Sequence, residues 1–102
     1  MSDPLYTMGV WVAKPGKEEQ FVDAWREMAA WTASSFEGTT TALLLRDQND
    51  GRRFVSFGPW RSEEDVAAWR ASEGFRDRVQ GLQPLLERFE PGSFTAVCRI
   101  GE

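Results

Sequence analysis

The strand-forming runs of this chain are apolar on both sides, and no other feature limits its architecture as much. Side chains alternate between the two faces of a strand. In the run 39–47, Leu43 and Leu45 share one face and Ala42 and Leu44 the other; in the run 53–60, Val55 and Phe57 oppose Phe54. The run 5–14 carries Tyr6, Met8, Val10 and Val12 on one side and Leu5, Thr7, Gly9 and Trp11 on the other, so neither side is wet. A sheet of such strands needs cover on both faces, and helices of the same chain can cover one. Apolar patches of a few hundred Å² rarely stay exposed on a monomer, whereas a two-fold partner buries the same patch on both copies. A homodimer is therefore expected, with a monomer of partly polar open face as the alternative.

The helical segments follow from periodicity and punctuation. Pro15-Gly16 stops the first strand. Over residues 17–35, Phe21, Ala24, Trp25, Met28 and Thr32 form one stripe at 100° per residue, with Glu19, Asp23, Arg26 and Ala30 opposite. Phe36-Glu37-Gly38 ends that helix. The Asp50-Gly51 pair marks a hairpin between the second and third strands. Ser62 is an N-cap followed by Glu63, Glu64 and Asp65, acids that suit the first turn of a helix. A further helical stretch from about Glu73 aligns Phe75, Val79 and Leu82; Gly81 is placed to end it, and Pro84 to begin one more turn that buries Leu85, Leu86 and Phe89. Pro91-Gly92 punctuates again, and residues 93–100 read as the fourth strand. The order is β-α-β-β-α-β, the split βαβ or ferredoxin-like arrangement. This is an α+β fold with one antiparallel four-stranded sheet and helices on one face.

Size and composition narrow the function. At 102 residues and 11.6 kDa, a folded surface of about 5,800 Å² against about 16,800 Å² for the extended chain allows one core. Residues 1–102 thus read as a single domain with its core at about 5–100. Twelve basic and 16 acidic residues give a net charge of −4, which opposes binding to nucleic acid or to an anionic membrane surface. The chain has no histidine and one cysteine, Cys98. It therefore lacks the usual haem and zinc ligand, the usual general base near neutral pH and any internal disulfide. The run Asp47-Gln48-Asn49-Asp50-Gly51 looks like the start of a calcium loop but has no glutamate at the twelfth position, and it reads as a turn with no metal. Residues 1–4 have no basic stretch leading into an apolar run, and no apolar segment nears the ~20 residues of a membrane span. The expected location is the cytoplasm.

Several segments then resemble a known family. Lys14-Pro15-Gly16-Lys17-Glu18-Glu19-Gln20-Phe21 is similar to the strand-to-helix junction of antibiotic biosynthesis monooxygenase (ABM) domains. So is Phe54-Val55-Ser56-Phe57-Gly58-Pro59-Trp60-Arg61-Ser62-Glu63-Glu64-Asp65, followed by Trp69, Ser72 and Phe75. The resemblance runs from about Tyr6 to Ile100. It implies a dimeric α+β barrel in which two four-stranded sheets close on each other, with a pocket in each subunit between sheet and helices. The family includes cofactor-free oxygenases of aromatic polyketides, quinol oxygenases and haem-degrading enzymes.

Matching the haem-degrading branch puts its strand asparagine at Gly9, its tryptophan at Trp60 and its haem-ligating histidine at Val79. One of three survives, which argues against haem degradation. The polyketide oxygenase branch is matched at Trp60, while the asparagine expected four residues earlier is Ser56, a hydroxyl that still donates or accepts one hydrogen bond.

The resemblance thus implies a cofactor-independent monooxygenase acting with O₂ on a polycyclic phenol, anthrone or quinol. In it Trp60 forms a ring wall and Ser56 the polar contact; Phe21, Trp25, Met28, Phe75 and Val79 shape an apolar cavity, and Arg78 supplies positive charge at its mouth. Beside this stands a plainer reading: a dimeric domain that binds a small aromatic or apolar ligand, or serves as scaffold, without this catalysis. On it Trp25 and Trp69 are packing residues, Trp60 plugs a strand end, Ser56 fills space and Arg78 is a solvated charge. Trp11 and Trp31 suit a dimer seam as well as a pocket, and Gly9 relieves crowding against the strand.

Overall fold

The computed structural model describes residues 5–39 and 41–101. The N-terminal stretch 1–4, expected to hold no leader, and Thr40 of the expected second strand lie outside the described residues. Strand β1 (Leu5–Ala13) leads through the Pro15-Gly16 turn into helix α1 (Glu18–Ser35), then β2 (Leu43–Arg46) and β3 (Arg53–Trp60). Helices α2 (Glu63–Ala71) and α3 (Glu73–Leu82) follow, a single 3₁₀ turn spans Gln83–Leu85, and β4 (Leu86–Thr95) completes the chain's regular structure. The sheet is antiparallel with strand order β2-β3-β1-β4, so the first strand pairs with the third and fourth.

The local signals at the hairpin and at Ser62 act as expected, whereas Gly81, expected to end the last helix, lies inside α3, which runs to Leu82 and straight into the 3₁₀ turn. Asp50 and Asp47 side chains accept the backbone N–H groups of Arg52 and Asn49, shaping the hairpin turn. Ser62 caps α2 by accepting the Asp65 N–H at 3.1 Å. Ser72 separates the two expected helical stretches: its hydroxyl donates to the Trp69 carbonyl and accepts the Phe75 N–H, closing α2 and capping α3. The order is therefore β-α-β-β-α-α-β.

Two strand boundaries need correction. β2 is four residues long, not the nine of 39–47. β4 starts at Leu86, where a helical turn and then a break were expected, and it ends at Thr95 rather than at residue 100. The cause is a bulge. Ala13 pairs with Leu86 and Val12 with Arg88, which leaves Glu87 as an extra residue. Leu86 and Phe89 therefore share a face although they are three apart, the spacing of a helix. Pro91 lies within β4 opposite Gly9, tolerable because β4 is an edge strand and needs no outward donor.

The helices cover one face of the sheet. On that side Trp11, Ala13, Phe21, Met28, Phe54 and Leu82 make the buried core. Phe21 is fully buried, with its ring 5.4 Å from Trp11 and 5.0 Å from Phe54. Burial of that one ring contributes about 1.5–3 kcal/mol. The other face has no cover from the chain: Leu43, Leu45 and Phe94 are 53%, 49% and 53% exposed. Among the described residues no helix is long and apolar enough to cross a membrane.

Candidate functional site

Between the covered face of the sheet and the helices lies a cavity of about 410 Å³. Its floor is made of alternate residues of neighbouring strands. Thr7, Gly9 and Trp11 come from β1, and Ser56, Gly58 and Trp60 from β3. Phe89 and Pro91 of β4 close one side, while Trp25, Met28 and Thr32 of α1, Trp69 and Arg70 of α2, and Phe75 of α3 form the roof. Volume for it comes from small side chains. Glycine at 9 is required by the tryptophan beside it: a Cβ there would lie 2.8 Å from Trp11 Nε1 and 3.1 Å from Ser56 Oγ.

The polar atoms of the lining are organised as indole–hydroxyl pairs. Trp11 Nε1 donates to Ser56 Oγ at 2.9 Å, Trp60 Nε1 to Thr7 Oγ1 at 3.0 Å, and Trp69 Nε1 to Thr32 Oγ1 at 3.0 Å. A buried indole N–H needs such a partner. Thr32 passes its own proton to the Met28 carbonyl at 2.9 Å. Ser56 and Thr7 accept an indole N–H and have no acceptor for their own protons among the described residues. Each therefore keeps one O–H donor for whatever enters the cavity. The rings are locked together: Trp60 and Trp69 centroids are 4.9 Å apart, Trp69 and Phe75 4.5 Å, and Trp11 stacks on Phe89 at 4.0 Å.

No carboxylate or thiol lines the cavity among the described residues; its ionisable groups are Arg26 and Arg70. Shifted carboxylates lie elsewhere. Asp65 is held below the ordinary aspartate range by hydrogen bonds from the Arg61 guanidinium and then from Ser62. Asp47 is held low by the Asn49 backbone N–H.

Of the residues singled out from sequence, Trp60, Ser56, Trp25, Met28 and Phe75 meet around the cavity. Phe21, Val79 and Arg78 are placed apart from it. Phe21 sits in the core between Trp11 and Phe54, and Val79 packs against the same core one turn beyond Phe75. Arg78 lies 4.1 Å over the Trp31 ring and pairs with Glu27 at 3.2 Å. Trp11, open between seam and pocket on sequence grounds, belongs to the pocket. Thr7, Thr32, Phe89 and Arg70 were not singled out as site residues. Thr7 shares a strand face with Trp11 by simple alternation, and Thr32 shares the α1 stripe with Trp25 and Met28, so both were within reach of the pattern.

The antibiotic biosynthesis monooxygenase family model matches residues 4–81. The chain belongs to that family. Its fold is similar to SnoaB from Streptomyces nogalater, described as a cofactor-independent oxygenase: TM-score 0.88, 23% identity, covering 99% of this chain and 100% of that one. It is also similar to a candidate antibiotic biosynthesis monooxygenase from Nitrosomonas europaea, at TM-score 0.82 and 18% identity over 99% and 97% of the two chains. PA3566 from Pseudomonas aeruginosa gives TM-score 0.80 and 22% identity over 96% and 98%. At these identities the ABM likeness in structure is a likeness of fold. No curated protein matches the sequence.

Proposed function

We propose that this ABM protein is a cofactor-independent monooxygenase that oxidises a polycyclic phenol, anthrone or quinol with O₂, working as a homodimer. The observation that carries the reading is the pair of unspent hydroxyl protons, on Ser56 and Thr7, at the floor of an aromatic-walled cavity. An anthrone loses a ring C–H proton to solvent and becomes an electron-rich enolate. Hydroxyl donors aimed at its oxygen lower the cost of that anion, and the tryptophan walls hold the ring and exclude water. The carbanion carbon gives electrons to O₂ and bonds to it; the peroxide then loses water, leaving a quinone carbonyl. One O₂ is consumed, one oxygen atom enters the ring and the other leaves as water. Family membership and the described activity of SnoaB support the same reading.

The uncovered sheet face supports the homodimer. The chain exposes 6824 Å², against about 5,800 Å² for a globular monomer of this mass. Its radius of gyration is 14.0 Å, against about 13 Å for a globule of this length. The excess surface and the half-exposed Leu43, Leu45 and Phe94 fit a second copy closing on that face.

A second reading has one observation in its favour. With no acid and no histidine in the lining, the cavity has no side-chain base, which suits a domain that binds an aromatic ligand without turning it over. An oxygen electrode separates the two. The enzyme reading predicts O₂ uptake with dithranol (an anthrone) above the buffer rate, matched by quinone absorbance and reduced about tenfold or more in Ser56→Ala. Ligand-dependent tryptophan quenching with no uptake above buffer for anthrone or quinol would replace it with the binding reading.

A further inference from the structure

Arg70 stands apart from the other half-buried arginines. Arg52 and Arg78 each have a carboxylate within reach, Glu87 at 3.0 Å and Glu27 at 3.2 Å. Arg70 has none among the described residues, although the chain is acidic overall. Its guanidinium crosses from α2 to β4 and donates to Ser93 Oγ at 3.0 Å and to the Gly92 carbonyl at 3.2 Å. Both partners are neutral. The side chain also lines the cavity, next to Trp69. Arg26, the other lining cation, is mostly exposed and already paired with Asp23 at 2.9 Å.

A position in the last turn of α2 suits a cation, but that would not direct the side chain across to another strand. The two neutral contacts fix the guanidinium plane and use two of its five N–H donors. A half-buried cation with no counter-ion among the described residues, held by two contacts in the lining of an aromatic cavity, is arranged to receive an anion, and a planar fork receives a carboxylate best.

We propose that Arg70 forms a carboxylate subsite of the cavity, so that its ligand is an aromatic ring system bearing an acidic side group. This rests on the reading that an aromatic ligand occupies the cavity, and names which chemical class enters it. Ring recognition falls to the tryptophans and to the Ser56 and Thr7 hydroxyls; Arg70 sorts ligands by charge and fixes where the acidic group lies.

Two probes of nearly equal size test it: 9-anthracenecarboxylate and the neutral 9-anthracenemethanol, titrated against the full chain at neutral pH and followed by tryptophan fluorescence. The carboxylate is expected to bind about tenfold tighter or more, as for a hydrogen bond to a charged group. Arg70→Gln should bring the ratio to about one, and Arg70→Lys, which keeps the charge and loses the fork, should leave an intermediate ratio. Equal binding of the two probes by the unaltered protein overturns the subsite, a result that needs no variant to fold. A preference that survives in both variants overturns it too. In either case the aromatic cavity stands. Failure of both probes to bind overturns the cavity reading itself.

Discussion

The two faces of the sheet are written on the same strands, one residue out of step, and they make different surfaces. On the covered face, β1 presents Thr7, Gly9 and Trp11 and β3 presents Ser56, Gly58 and Trp60: small residues alternating with tryptophans whose N–H groups are all matched by hydroxyls. On the open face the same strands present Tyr6, Met8, Val10 and Val12, and Val55 and Phe57, flanked by Leu43 and Leu45 of β2. The covered face spares volume and keeps polar handles, so it holds a cavity. The open face is apolar through its middle and charged at one end, where Arg53, Arg88 and Glu90 share the face of Val10 and Val12. The open face is the one proposed to meet a second copy, and the cavity the one proposed to take a small molecule.

Disruption of the open face should have the largest effect. Leu43→Asp with Leu45→Asp places two charges on the patch proposed to be shared by two copies, and should weaken dimerisation at least about a hundredfold. Sedimentation velocity would show monomers at concentrations where the unaltered chain is dimeric, while the cavity hydrogen bonds stay intact. Next is the covered face. Gly9→Val pushes a branched side chain against Trp11 Nε1 and Ser56 Oγ; it should cost about 1–3 kcal/mol in urea unfolding and abolish ligand quenching, without altering association in the folded fraction.

Smaller still is the asymmetry between losing the acceptor of one indole–hydroxyl pair and losing the donor of another. Ser56→Ala leaves the Trp11 N–H, on a residue only 3% exposed, without its acceptor and should cost about 1–3 kcal/mol; Trp60→Phe removes the donor instead and leaves Thr7 a free hydroxyl, costing about 1 kcal/mol from the hydrogen bond. Equal losses would mean that the indole N–H finds water. The smallest effect concerns neither face. Asp65 has a folded-state pKa below its unfolded one, so its contribution is full above the ordinary aspartate value and is lost as pH falls through the lowered value. The melting temperature of the unaltered chain should therefore drop more between pH 5 and pH 3 than that of Asp65→Asn.

What was legible in the sequence was local. The α1 stripe, the Asp50-Gly51 hairpin and the Ser62 cap each rest on residues within a turn or two of one another. The β4 boundary was not legible, because the extra residue at Glu87 gives Leu86 and Phe89 a helical spacing inside a strand. The cavity was readable to the extent that the stripe of α1 and the family resemblance around Trp60 reach it. Phe21 shares that stripe with Met28, and periodicity cannot say which end of a helix lies over a cavity and which over a packed core. Arg70 depends on the crossing of α2 onto β4, a contact 22 or 23 residues away along the chain, and a surface arginine in a helix carries no mark of it.

The Ser56 and Thr7 hydroxyls are proposed to stabilise a ring anion in the cavity. Anaerobic absorbance titration of dithranol, free and bound, measures this directly, since the anthrone and its anion differ in colour. The bound ligand is expected to ionise at lower pH than the free one, by a margin that shrinks in Ser56→Ala and in Thr7→Val. Ionisation at the same or higher pH in the cavity would contradict it.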